Sequence, residues 1–165
     1  MHVPHSDAGD LWPGDSALTL PDWHELLAAF CGHIGDQPED HPVTRWAHAL
    51  ALVHLTAREQ PLRDDEFDWD RADLVGRIDH WVAGRSERPA PTSLGAAIDD
   101  MAAAQVRATW LLRNADDVSD EEVHTAWFLL ASLADGWTDL VAETLGHAGA
   151  WRGYRTAGSL LRDTL

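Results

Sequence analysis

Two aspartates and two histidines stand where a helical chain could gather them. Asp79 and Asp99 each follow an isoleucine, one on either side of the stretch GRSERPAP. A helical hairpin centred near residue 89 would set the two aspartates level on neighbouring antiparallel helices. Two carboxylates within reach of each other raise the pKa of one of them or recruit a cation. The pair is therefore a candidate for acid/base work, metal binding or recognition of an amine. Turn centres near residues 64 and 117 extend the same layer to His48 and Asp135, with Trp46, Trp81 and Trp137 one step away. In this reading Asp79 or Asp99 is the base and His48 or His54 its proton partner. Trp46, Trp81, Trp137, Asp135 and Gln105 line the ligand pocket. An aspartate that points outward or caps a helix would do neither.

Carboxylates and histidine are acceptable metal ligands in a helical core, but the one Glu-x-x-His spacing, Glu121 with His124, need not face inward and no HExxH is present among the ten histidines, so neither a metal nor another cofactor is expected. Nine tryptophans in 165 residues are the other anomaly. A Trp stripe is ordinarily core, yet Trp faces beside carboxylates suit a cation, through cation–π attraction and charge pairing. Nucleophilic chemistry has no support: there is no GxSxG and no Gly-rich phosphate loop, and the single Cys31 lies in an apolar helical run that predicts a buried position.

The elements that must position these residues are helices. Pro21 and Glu25 open a first helix over 22–33, and Pro42 opens a second that Pro61 stops. The seam Trp69, Ala72, Val75, Ile78 and Val82 predicts a third over 68–83. Thr92 is placed to cap a fourth that runs to about residue 114, and Ser119 with Glu122 has capping-box spacing for a fifth that runs to about Leu145 with Trp127 inward. Short links between long helices predict an all-α fold, an up-and-down antiparallel four-helix bundle with an additional short N-terminal helix. Residues 1–20 read as a flexible arm, 21–146 as the bundle domain, and 147–165 as a Gly-containing tail with a short helix at 159–164.

Composition narrows the function. The chain has 28 acidic residues against 12 basic ones, all of them arginine, for a net charge of −16. That field favours cationic ligands or basic partner proteins, and it opposes nucleic acid, where Lys and Arg must neutralise phosphates. The absence of lysine removes Schiff-base chemistry. One cysteine, no signal-like N-terminus and no long apolar run fit a cytoplasmic location and give no support for membrane binding.

HPVTRWAHALALVH, RADLVGRIDHWV, SLGAAIDDMAAAQVRA and HTAWFLLASLADGWTDLVAE, over about residues 41–145, resemble in order and spacing the actinobacterial branch of the helical family catalogued as domain of unknown function 4254. The resemblance implies a small, soluble, all-α protein, brings no established reaction, and makes His54, Asp79 and Asp99 the matched polar positions. Where family members outside this branch carry an Asn-Phe…Trp-His-x-Glu-Asp segment, this chain has LTAREQPLRDD after Val53-His54.

The leading expectation is a pocket for a small cationic or amine-bearing molecule, with acid/base transformation as an option. The alternative is an acidic module that binds a basic partner or self-associates, with a homodimer left open. A carboxylate/His metal enzyme is the third.

Overall fold

The computed structural model describes residues 18–146, and the described chain is all-helical. Its helices are α1 (Trp23–Phe30), α2 (Pro42–Glu59), α3 (Asp64–Ala83), α4 (Leu94–Asn114) and α5 (Glu121–Thr144), with a 3-10 turn at Pro61–Arg63. Most of the arm and the whole tail, including the short helix expected at 159–164, lie outside the described residues. Leu18 and Leu20, at the end of the stretch read as an arm, pack against the core.

Each helix starts for a local reason. Asp22 and Glu25 form a reciprocal capping box on α1, which leaves free N–H groups satisfied at both positions. At α2 the imidazole of His41 takes the cap role, accepting from Val43 N at 3.2 Å, and Pro42 supplies the first-turn φ. α3 begins at Asp64 rather than residue 68, because the Pro61 turn runs straight into it and Asp64, Asp65 and Glu66 favour its positive end. Ser93 caps α4 in place of Thr92, and Asp120 caps α5 in place of Ser119. Gly35, at φ +94°, closes the loop before α2; its N–H donates to Asp40, and a Cβ there would meet the backbone of Thr44.

α4 is the hub. It touches α1, α2, α3 and α5, while no Cα of α2 comes within 8 Å of one in α5. α1 lies against α2, α4 and α5. The main core therefore draws on all five helices, around Leu26, Leu50, Ile78, Ile98, Met101 and Trp137, all nearly or wholly buried. A second, smaller cluster of Ala108, Leu111, Val123 and Ala126 joins only α4 and α5 at their connected ends.

Two inward faces differ from the periodicity. On α3, Trp69 and Ala72 are exposed and the buried stripe is Phe67, Ile78 and Val82, with Arg71 between them in phase. On α5, Trp127 is 41% exposed, while Val123, Ala126 and Leu130 face in. Trp69 and Ala72 on α3 and Trp127 on α5 are the misplaced members; Ile78 and Val82 on α3, and Val123, Leu130, Ala134 and Trp137 on α5, are inward as expected. Among the described residues no helix is long and apolar enough to cross a membrane.

Candidate functional site

Asp99 is the centre of the one buried charged cluster found among the described residues. It sits on α4, its side chain 9% exposed, and receives hydrogen bonds from two other helices. His54 of α2 donates from Nε2 to Oδ1 at 2.6 Å. Arg71 of α3 donates from Nη2 to Oδ2 at 2.7 Å and from Nε to Oδ1 at 3.2 Å. A carboxylate can only accept, so Nε2 of His54 carries a proton. Nδ1 has no hydrogen-bond partner among the described residues, and no buried side-chain nitrogen there lacks one, so Nδ1 reaches accessible surface.

The electrostatics follow from this geometry. Burial pushes the Asp99 carboxyl up, but the hydrogen bonds and charges of His54 and Arg71 outweigh it and hold the group below the usual carboxylate range. The Arg71 guanidinium is raised, chiefly by its hydrogen bond to Asp99. Arg71 also spans outward: Nη1 reaches Asp68 at 3.3 Å. A chain of contacts thus leads from Asp68 at the surface through Arg71 and Asp99 to His54.

Asp79 has a different job. It accepts from Ser93 Oγ and from Gly95 N at 2.8 Å, tying the C-terminal part of α3 to the first turn of α4. The aspartates are therefore not level. Residues 84–93 form a loop rather than a tight turn, and α4 begins beside Val75–Asp79, short of the end of α3. Gly95 meets Val75, so Asp99, four residues and about 6 Å further along α4, comes level with Arg71. Gly95 makes this crossing close, since a Cβ on it would lie 2.9 Å from Val75 Cα and closer still to its carbonyl oxygen.

The other sequence candidates disperse. His48 is bonded through Nδ1 to Ala29 O of α1 at 3.0 Å. Asp135 is exposed on α5. Trp137 is buried, its indole N–H donating to Pro21 O at 3.0 Å. Trp46 is half-buried against the main core, and Trp81 packs edge-on to His41 with Arg85 over its face at 4.4 Å. Gln105 is buried and donates to Cys31 Sγ and Thr109 Oγ1. Cys31 itself is exposed, because α1 ends at Phe30, three residues before the expected end at 33, and leaves Cys31 as its C-cap. So the structure brings together Asp99 and His54 of the predicted set, and adds Arg71.

A shallow depression lies on the outer side of α3, lined by Asp65, Asp68, Trp69 and Ala72 at helical spacing. Trp69 is 79% exposed there. Arg71, Asp65 and Asp68 were not singled out from the sequence, and Trp69 was read as an inward seam residue. The signals existed: an arginine in phase with Phe67 and Ile78, and the acidic-aromatic run DEFDWD. Among the described residues no group of three His, Cys, Asp or Glu side chains converges to hold a metal ion. No family model matches the chain, and no curated protein or solved structure matches it either.

Proposed function

We propose that this protein binds a small cationic or amine-bearing molecule on the outer face of α3, coupled to the buried Asp99–His54 pair. One observation carries the reading: an exposed Trp69 shares a depression with the carboxylates of Asp65 and Asp68, and Asp68 is linked through Arg71 to Asp99. The carboxylates pair with an ammonium, and the indole face adds cation–π attraction of about 1 kcal/mol at an exposed position. An ammonium at Asp68 competes with Arg71 Nη1, so occupancy is felt at Asp99. The helical frame we infer is the up-and-down bundle of α2 to α5, with α1 lying across the gap between α2 and α5.

Titration with putrescine, choline and arginine amide, read by tryptophan fluorescence, tests this. A saturable change that vanishes in Trp69→Phe and weakens at least tenfold in Asp68→Asn is expected. No change with any amine, or one indifferent to both substitutions, would sink the reading. An acidic module for a basic protein is the second reading, favoured by the exposed Asp64, Asp65, Glu66, Asp68, Asp70 and Asp73 on α3. It predicts capture that collapses between about 0.05 and 0.5 M salt.

A further inference from the structure

α5 has described neighbours on one side only. It packs on α4 and on α1, and no Cα of α2 or α3 comes within 8 Å of one in α5. Yet Trp127, Phe128, Leu129 and Leu130 follow one another along it, so large apolar side chains point in every direction round the helix. A helix of that kind is one that other chain covers on all sides. Phe128, half a helical turn from the buried Trp137, faces away from α4 and α1 and is 75% exposed. Ser132, Asp135 and Asp139 share its outward face at i+4, i+7 and i+11, with Glu143 one turn further, and all four are exposed. Neither Asp135, Asp139 nor Glu143 forms an ion pair with a described residue. Followed back from its C-terminal end, the outer face of α5 is three open carboxylates and then an open aromatic ring.

The chain beyond α5 has the complementary order. Gly146 follows the helix at φ +76°, the left-handed conformation in which a chain leaves a helix and changes direction. The nineteen residues after it, HAGAWRGYRTAGSLLRDTL, hold three of the chain's twelve arginines and no acidic residue before Asp163. We infer that residues 147–165 turn back along α5 and cover its outer face, Arg152 pairing with Glu143, Arg155 with Asp139, and Leu160 and Leu161 lying on Phe128. Length supports this register. From Gly146 back to Asp139 is about 10 Å along the axis, and Arg155 reaches up to about 30 Å, which leaves slack for the turn. From Asp139 to Phe128 is about 16 Å, and the five residues from Arg155 to Leu160 extend by the same amount. The exposed ion pairs set the register, and apolar contact supplies most of the hold. Charge and tethering select this occupant over the others. A second copy would bring a net charge of −16 and the same three carboxylates to a face that already carries them. A free basic partner would compete with a segment held beside its site at an effective concentration of about 1 mM.

Trypsin digestion of the full chain in native buffer, with the products weighed, tests the cover, because cleavage after Arg152 and Arg155 requires the segment to come off. In the native protein both cuts should be at least about tenfold slower than in Phe128→Glu or Asp139→Arg, and equally slow from about 1 to 100 µM protein. Adding Arg155→Glu to Asp139→Arg should restore protection at Arg152. Trp69→Glu, on α3, should leave protection unchanged. Phe128, Asp139 and Trp69 are exposed, so the helical body stays intact in each variant, which circular dichroism checks. If Phe128→Glu does not fold, the charge reversal at Asp139 and its rescue decide alone. A native segment cut as fast as in the variants overturns the proposal. So does protection that grows with concentration, which means that another copy supplies the cover, and so does a charge reversal that Arg155→Glu fails to rescue.

Discussion

Asp79 and Asp99 occupy the same dipeptide context and end in different roles, which their partners explain. Asp79 accepts from a hydroxyl and a backbone N–H, so it works as a remote cap on α4, and Asp79→Asn should cost about 1 kcal/mol, as a lost cap does. Asp99 is buried between a histidine and an arginine, and Asp99→Asn leaves the Arg71 charge without its counter-ion. The loss there should be about 2–4 kcal/mol at pH 7, moderated because Arg71 is 37% exposed. Its pH dependence has a definite sign. The Asp99 carboxyl is held below its ordinary value of 3.8, so its stabilisation is full above that value and is lost as pH falls through the lowered one. Chemical denaturation of native and Asp99→Asn protein should show curves far apart at neutral pH and converging in strong acid. A gap that persists unchanged at pH 2 would mean that the ionised carboxylate is not what stabilises the fold.

At the scale of the helix, two junctions carry consequences. The crossing of α3 and α4 depends on Gly95, whose missing Cβ lets the Val75 backbone approach. Gly95→Ala gains helix propensity but must push the helices apart, and overpacking outweighs propensity by about 1–3 kcal/mol. Lower thermal stability and loosened Arg71–Asp99 geometry are the expected outcome; an unchanged or raised melting temperature would contradict the close crossing. The second junction is His41, which accepts from Val43 N through Nδ1 and donates through Nε2 to Thr19 O at 3.0 Å. Burial lowers its pKa from the ordinary 6.5, partly offset by the bond to Thr19. The fold thus favours neutral imidazole, and this contribution is present above pH 6.5 and lost as pH falls through the lowered value. Protonation also removes the cap acceptor and places a cation at the positive end of α2. The melting temperature of native protein should therefore fall more steeply than that of His41→Asn between pH 7 and pH 5, since asparagine caps without titrating. Equal slopes would show that His41 does not titrate with unfolding.

For the molecule as a whole, the net charge of −16 sets its response to salt. Amine binding at Asp65 and Asp68 should weaken between about 0.05 and 0.5 M salt, because exposed charge pairs are screened. Helix content and helix positions were legible because prolines, caps and the 3.6-residue period are local. Pro42 and Pro61 bound α2, and Ile78, Ile98 and Trp137 took the inward places that their spacing implied. What periodicity could not convey was phase and axial stagger. The phase of α3 depends on Arg71 reaching Asp99, and the stagger of α4 on the path of residues 84–93 and on Gly95. The sequence by itself determined an acidic, all-helical chain with polar residues at the edges of its seams. Only the tertiary structure decided that His54 and Arg71, rather than Asp79, meet Asp99, because a few residues of sliding between antiparallel helices change which side chains are neighbours while leaving every local helix signal untouched.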